Sequence, residues 1–319
     1  MRLLEIYVWV VPHLYKPFTK HEKANFNTEF NKRLISYMFG GYYFSKMFAS
    51  LHQYTLNFKQ RKALYMSGAF LAVGDALFDD TVVKFNHQRI LQIIEQPQTY
   101  QPQYYKDALL QRIFQLLLAN SPEKNHANIK KTLTEAYHAN VTSEKQKQGL
   151  QVAEEIAKLS LVKGGYCGIY YRSCLAIPYD LDEEKLAYRF GELGQLVDDV
   201  LDIQEDRRKG IATMFSNNPD IDALITKFNR FCEESFQQLQ QLSFPQKAKD
   251  KAIFQYRFLC KIPLFFLLHL KIHVAKNSDI SHIELLKYKD IAFNFGFRQL
   301  KNLYFEYKNQ SKHEFSTQS

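Results

Sequence analysis

The chain has 319 residues, 46% of them hydrophobic, with only 12 Gly and 9 Pro. This composition supports a sizeable core and disfavours a turn-rich β fold. The formal net charge is +9. The basic residues are scattered instead of forming blocks, so we predict no nucleic-acid partner.

The hydrophobic pattern predicts helices almost throughout the chain, separated by short breaks. In chain order they cover residues 28–51, 59–81, 83–95, 104–119, 126–140, 144–161, 164–177, 182–207, 219–242, 246–275 and 282–308. No low-complexity linker or internal repeat interrupts them. We therefore predict an all-α fold in which residues 1–309 form a single helical domain and residues 310–319 a disordered tail.

Cysteine usage and the apolar stretches predict a soluble, cytoplasmic protein. The four cysteines show no CxxC spacing, as expected of free thiols in a reducing compartment. The apolar run 3–11 is interrupted by Glu5 and lacks a small-residue cleavage site, so we predict no signal peptide. The later apolar stretch 262–274 is too short to span a bilayer.

Two aspartate-rich patches stand out because each lies in an apolar, helix-patterned stretch, where carboxylates are costly to bury. The first patch contains Asp75, Asp79 and Asp80. Asp75 and Asp79 share a helix face at about 100° per residue. A helix-capping role would explain Asp79 or Asp80 as well as a metal-binding role would. Capping does not explain Asp75, which lies in the middle of an apolar helix.

The second patch contains acids that recur every fourth residue, namely Asp198, Asp202 and Asp206, with Asp199 beside them. A solvated acidic face is the simpler interpretation of such a run. Few Lys or Arg residues are spaced to neutralise it, however, and apolar residues surround it. Two such faces turned toward each other would form a cup of oxygen ligands, which suits Mg²⁺ and its bridging to substrate phosphates.

These motifs resemble those of class I isoprenoid synthases, most closely the squalene and phytoene synthase branch. Asp75 to Asp80 match its D-x-x-x-D-D motif. Its second motif is matched by Gln195, Asp202, Glu205, Asp206 and Gly210, with Asp198 in place of an Asn and Leu201 in place of an Arg. The segment 45–48 resembles its S-R-S-F, and Tyr166-Cys167 resembles the start of Y-C-x-x-V-A-G.

The chain also departs from that branch. Tyr170-Tyr171-Arg172 stands where the small V-A-G residues are expected. Residues 195–202 closely resemble the F-Q-I-x-D-D-x-L-D of chain-elongating prenyl diphosphate synthases, and Lys163-Gly164 is similar to another of their segments. Their own first motif, D-D-x-x-D, is missing. The resemblance covers roughly residues 43–210 and mixes two branches.

The resemblance implies a single helical bundle of the type I isoprenoid synthase kind with a central cavity. It implies that Asp75, Asp79, Asp198 and Asp202 are catalytic. The implied metal ligands are Asp75, Asp79, Asp80, Asp198, Asp199, Asp202 and Asp206. The implied cofactor is Mg²⁺, and the substrate is an allylic prenyl diphosphate whose C–O bond ionises.

Basic and aromatic side chains near the motifs complete the predicted site. The candidates for diphosphate binding are Lys46, Lys163, Arg172, Arg207 and Arg208. The candidates for an apolar cavity that shelters a prenyl cation are Tyr43, Phe70, Tyr166, Tyr170, Tyr171 and Gln195. Other predicted partners are a membrane surface, contacted through an apolar product, and a second copy of the chain in a homodimer.

Three functions remain open from the sequence. The first is prenyl transfer, in which two allylic diphosphates condense. The second is a terpene synthase that cyclises or quenches one substrate, which the bulky Tyr170-Tyr171-Arg172 favours. The third is a non-catalytic helical partner subunit. Intact acids in both patches argue against the third.

Overall fold

The structure is a computed structural model that describes residues 5–6, 10–24, 26–78, 87–147, 152–216 and 220–277. All regular structure in these residues is helical, which confirms the predicted all-α class. Contacts divide the chain into two compact units. Unit one combines residues 1–141 with 165–191, and unit two combines residues 142–164 with 192–319.

The α-helices of the described residues are numbered in chain order. They are α1 (Val11–Tyr15), α2 (Lys20–Ala24), α3 (Thr28–Leu51), α4 (Phe58–Phe78), α5 (His87–Glu95), α6 (Tyr105–Ala119), α7 (His126–Ser143), α8 (Ala153–Ser173), α9 (Leu181–Leu201), α10 (Ile203–Lys209), α11 (Ile221–Gln241) and α12 (Gln246–Asn277). Short 3-10 helices precede α7 (Glu123–Asn125) and follow it (Glu144–Lys147).

Unit one is built around α4, which packs against α3 and α6. Asn27 caps α3 by accepting the Phe30 amide at 2.8 Å. The two helices come into backbone contact at Gly68, where an added Cβ would lie 2.0 Å from the Tyr37 carbonyl oxygen. Only glycine permits this approach, which brings the α3 side chains close to the end of α4.

Unit two contains the helical hairpin of α11 and α12, which pack against each other. Asp220 caps α11 by accepting the Ala223 amide at 3.0 Å. The buried face of α9 and α10 supplies Leu196, Val200 and Ile203, each at most 1% exposed. Those aliphatic residues fix which side of the acidic helix faces the interior.

Most of the predicted helices are confirmed, but the single helix predicted at 182–207 is two helices, α9 and α10, which meet at Asp202. The segment around Gly164 was also predicted wrongly. Instead of ending at 161 and restarting at 164, one continuous helix, α8, covers Ala153–Ser173. Its glycines allow close packing and do not break it, since a Cβ at Gly168 would lie 2.2 Å from the Ala187 carbonyl oxygen. The helix predicted at 282–308 and the tail 310–319 lie outside the described residues.

One stretch of α12 is apolar enough to be tested against a membrane. By length and composition alone, Gln246–Ile272 could cross one: its most apolar window has a mean hydropathy of 1.3 and is 41% buried. This helix is longer than the predicted stretch 262–274. A long core helix passes the same test, so the finding assigns no location to the protein.

Candidate functional site

The second acidic patch lies where α9 passes into α10. Hydrogen bonds from Asp202 N to Asp198 O (2.9 Å) and from Asp206 N to Asp202 O (2.8 Å) keep the helical register through the junction. At about 100° per residue, Gln195, Asp198, Asp199, Asp202 and Asp206 fall within an arc of about 100°. These five side chains form the acidic face.

Asp199 is the buried member of the acidic face and is only 4% exposed. Its Oδ1 accepts the Gln195 amide at 2.8 Å, one turn earlier on the same helix. Its Oδ2 is buried and has no hydrogen-bond partner among the residues that the structure describes. A buried carboxylate oxygen without a partner is costly, which makes this atom the clearest place for a cation or donor from outside the chain.

Burial raises the pKa of Asp199 to about 6, and the Asp198 carboxylate adds to this. The Gln195 amide, the Ser160 hydroxyl and the Lys163 ammonium act in the opposite direction. The Ser160 hydroxyl lies near enough to Asp199 to lower its pKa, but within the described part of the chain no donor meets hydrogen-bond geometry at Asp199 Oδ2. Asp199 is therefore partly protonated near neutral pH when no cation offsets its charge.

Asp202 and Asp206 share this behaviour. Desolvation, followed by the Asp198, Glu205 and Asp199 carboxylates, raises the pKa of Asp202 to about 7. Desolvation, followed by Asp199 and Asp202, raises the pKa of Asp206 to about 8. Asp202 is exposed and Asp206 half-buried, so solvent screens part of the repulsion. The acidic face attracts positive charge.

Two residues that sequence reasoning missed support this face from α8 and from the 3-10 helix before it. The Gln146 amide donates to the Ser160 hydroxyl at 2.9 Å and to the Ala212 carbonyl at 2.9 Å. Gln146 thereby connects the loop after α10 to the helix that carries Ser160. Neither residue belongs to an acidic or basic motif, and no sequence signal marks them.

Asp75 lies in unit one, near the end of α4, and has partners within that unit. Its Oδ2 accepts the Tyr37 hydroxyl at 2.9 Å and lies 3.6 Å from Arg33 Nη2. Its Oδ1 accepts the Asn140 amide at 3.2 Å. Sequence reasoning missed all three partners, because they are distant in the chain. Asp79 and Asp80 lie outside the described residues.

The predicted diphosphate-binding residues fall into different surroundings. Lys46 is exposed, and Lys163 is half-buried and acts electrostatically on Asp199. Arg207 donates from Nε to the Ser216 carbonyl at 2.7 Å. Arg208 is 67% exposed and lies 3.7 Å from Glu205. Lys163 is thus the candidate whose positive charge helps to lower the pKa of Asp199.

Arg172 is wholly buried and engaged with other parts of unit one. Its Nε donates to Glu183 Oε1 at 2.5 Å, and its Nη1 donates to the Ile177 carbonyl at 3.1 Å. Its guanidinium also lies 4.5 Å from the centre of the Tyr179 ring. These contacts occupy the guanidinium of Arg172 within its own unit, and its role as a diphosphate ligand stays a prediction.

The predicted cavity residues other than Gln195 lie in unit one and make aromatic contacts. Phe70 is buried with its ring centre 5.4 Å from that of Phe114. Tyr170 is fully buried and donates its hydroxyl to the Ser67 carbonyl at 3.4 Å. The remaining three are half-buried and pair with other rings: Tyr43 with Phe39, Tyr166 with Tyr188, and Tyr171 with Phe44.

An open groove of 370 Å³ in unit two is lined by other residues. Ala157, Leu161 and Val162 give it an apolar wall, and Lys158, Glu192 and Lys227 contribute charged groups. None of the predicted cavity residues lines it. The groove therefore does not supply the predicted aromatic cavity.

The donor chemistry of the acidic face fits a hard divalent cation. Its side chains offer carboxylate and amide oxygens, and Asp199 Oδ2 accepts no hydrogen bond from the described residues. Among the residues described, no three His, Cys, Asp or Glu side chains are grouped closely enough to hold one metal ion as they stand. Ligation by this face would require side-chain rotation or oxygens from a substrate.

Comparison with known proteins gives no assignment. No protein family model matches the chain, and no curated protein matches it. The resemblance to isoprenoid synthases therefore rests on the quoted motifs and on the surroundings of their residues.

Proposed function

We propose that this chain is a Mg²⁺-dependent isoprenoid synthase of the class I kind, acting on an allylic prenyl diphosphate. The observation that carries the proposal is the acidic face of α9 and α10. There burial and mutual repulsion raise the pKa values of Asp199, Asp202 and Asp206, and one buried oxygen of Asp199 accepts no hydrogen bond from any described residue. A bound divalent cation would relieve the repulsion among these carboxylates.

Within this proposal, Asp198, Asp199, Asp202 and Asp206 would hold the cation, and Gln195 fixes the orientation of Asp199. When bound, Mg²⁺ supplies Lewis-acid neutralisation of the diphosphate. Lys163, half-buried on α8, would add positive charge to the diphosphate grip. The motif resemblance assigns Asp75 to the same chemistry.

The reaction proposed is heterolysis of the allylic C–O bond. The diphosphate leaves with the electron pair, and the prenyl cation is attacked by the double bond of a second prenyl chain, with a proton lost or a ring closed afterwards. Both motifs and the segment 45–48 support prenyl transfer through their resemblance to the squalene and phytoene synthase branch.

A non-catalytic helical protein is the second candidate, and one observation favours it. Arg33 lies 3.6 Å from the carboxylate of Asp75, and Tyr37 and Asn140 also bond that carboxylate. An acid with three partners in its own unit needs no cation for stability. Asp199 differs, because one of its carboxylate oxygens accepts no hydrogen bond from the residues described.

Product analysis tests the proposal. The purified chain is incubated with C10, C15 and C20 allylic diphosphates and Mg²⁺, and organic extracts are examined by mass spectrometry. We expect a product with the combined carbon count of two substrates. A product with the carbon count of one substrate would show a cyclase or lyase instead. No conversion of any substrate would support the non-catalytic candidate.

We also propose that the protein works in a reducing, cytoplasmic setting. All four cysteines are free thiols. Cys232 and Cys260 lie close enough for a thiol hydrogen bond that helps raise the pKa of Cys260, yet they are not bonded covalently. Mass spectrometry after alkylation in denaturant, without a reductant, of the protein isolated from cells checks this: we expect both thiols to be alkylated.

A further inference from the structure

The carboxylate of Asp75 is held by neutral donors from two other helices of unit one. Tyr37 of α3 donates its hydroxyl to Oδ2 at 2.9 Å, and Asn140 of α7 donates its amide to Oδ1 at 3.2 Å. Each carboxylate oxygen thus has its own donor. The carboxylate plane cannot rotate without breaking both hydrogen bonds.

The close contact between α3 and α4 at Gly68 explains why the Tyr37 hydroxyl can reach Asp75. A Cβ at Gly68 would lie 2.0 Å from the Tyr37 carbonyl oxygen, so the two backbones touch at this level. Gly68 precedes Asp75 by about two helical turns and therefore shares its face of α4. A wider crossing would take the Tyr37 hydroxyl out of reach of Asp75.

This arrangement leaves Asp75 with capacity for a further ligand. A carboxylate oxygen can accept two hydrogen bonds, and Tyr37 and Asn140 each use one site on a different oxygen. The Arg33 guanidinium is more distant, at 3.6 Å from Oδ2, and its side chain is 38% exposed. Such a half-exposed ion pair is weak, so a divalent cation can displace it.

We propose that Tyr37 and Asn140 are positioning residues that hold both oxygens of Asp75 in the orientation in which they bind a divalent cation. This rests on the proposed function, because that function assigns Asp75 to cation binding. Neutral donors orient the carboxylate without cancelling its charge. Groups that orient a metal ligand in this way commonly change metal affinity by about ten- to a hundredfold when they are removed.

Binding of Mn²⁺ to the full-length chain, followed by electron paramagnetic resonance, tests this proposal. It is measured alone and with inorganic diphosphate, for the wild type and for Asp75→Asn, Tyr37→Phe and Asn140→Leu. The matched control is Tyr15→Phe, which removes a 2.7 Å tyrosine-to-asparagine hydrogen bond elsewhere in unit one. Thermal unfolding of every variant separates a loss of orientation from a loss of folding.

We expect Asp75→Asn to lose Mn²⁺ binding at one site. Tyr37→Phe and Asn140→Leu should weaken Mn²⁺ binding by about ten- to a hundredfold, with Tm no lower than that of Tyr15→Phe. Wild-type affinity in both Tyr37→Phe and Asn140→Leu, or in Asp75→Asn, would overturn the proposal. Asp75-dependent Mn²⁺ binding in a chain that converts no prenyl diphosphate would support the positioning role and overturn the proposed function alone.

Discussion

At the scale of single residues, the acidic face of α9 and α10 works against the stability of the metal-free chain. The pKa values of Asp199, Asp202 and Asp206 are about 6, about 7 and about 8, all above the ordinary value of 3.8. The folded state therefore holds these protons more tightly than the unfolded state does. Their contribution to stability is fully present below about pH 4 and is lost as the pH rises through 6 to 8.

We predict that Asp206→Asn stabilises the metal-free chain at high pH. An amide at this position removes repulsion with Asp199 and Asp202, so the variant should be more stable than the wild type by roughly 1–2 kcal/mol at pH 8.5 and nearly equal to it at pH 4. Chemical unfolding in EDTA across this range measures the difference. Asp182→Asn, at a 67% exposed acid near the start of α9, the preceding helix, is the control. If the free energy of unfolding of Asp206→Asn depended on pH in the same way as that of the wild type, this interpretation would be contradicted.

The buried pair of Arg172 and Glu183 gives a second prediction at this scale. Because Arg172 is 0% exposed, Arg172→Met would leave the Glu183 carboxylate buried without its main partner. We expect a loss of about 3–5 kcal/mol in the free energy of unfolding. Arg208→Met, which removes a 67% exposed partner of Glu205, should cost at most about 1 kcal/mol.

Chemical unfolding of both variants, combined with diphosphate binding, decides what Arg172 does. A stable Arg172→Met variant with weakened diphosphate binding would support the prediction that Arg172 is a substrate ligand. A destabilised variant that still binds diphosphate as the wild type does would establish the structural role.

At the scale of helices, glycines determine how closely neighbours pack. A Cβ at Gly168 of α8 would lie 2.2 Å from the Ala187 carbonyl oxygen of α9, whereas a Cβ at Gly194 of α9 would meet nothing within 4 Å. We predict that Gly168→Ala lowers the free energy of unfolding by about 3 kcal/mol or more, because the helices must separate. Gly194→Ala should raise it by about 0.5–1 kcal/mol through helix propensity.

Thermal or chemical unfolding of both glycine variants checks this contrast. The two substitutions are chemically identical, so a difference in sign isolates packing from propensity. Equal effects would mean that the close approach of α8 and α9 at Gly168 does not control stability.

The same glycines show what the sequence could and could not predict. Periodicity predicted α3 at its observed bounds, Thr28–Leu51, because an apolar stripe and an Asn cap specify it locally. The same periodicity predicted a break near Gly164, where α8 is continuous. In a single sequence, a glycine that allows close packing cannot be told from a glycine that ends a helix. Telling them apart requires the position of the neighbouring helix.

The candidate site divides in a similar way. The acids of the second patch were predicted as one helix face, and the backbone hydrogen bonds that continue the helical register from α9 into α10 agree with this. The sequence did not predict which of these acids is buried. In the structure Asp199 is 4% exposed, whereas Asp198 is exposed. Tyr37 and Asn140 were also missed, because neutral polar residues far apart in the chain carry no motif.

At the scale of the whole molecule, the chain is an all-α protein whose described residues fall into two compact units. The first acidic motif belongs to unit one and the second to unit two. With no family model or curated protein matching the chain, its proposed activity depends on what these two motifs do when prenyl diphosphate and Mg²⁺ are supplied. The decisive measurement therefore uses the full-length chain, which contains both motifs.

That measurement is the release of inorganic diphosphate from C10, C15 and C20 allylic diphosphates, with Mg²⁺ and with EDTA. We predict release by the wild type only with Mg²⁺, and a loss of at least about a hundredfold in Asp75→Asn and in Asp202→Asn, with Asp182→Asn unaffected. Tm values close to that of the wild type would show that both inactive variants are folded. Undiminished release in EDTA, or wild-type release by folded Asp75→Asn and Asp202→Asn variants, would contradict the proposed Mg²⁺-dependent ionisation.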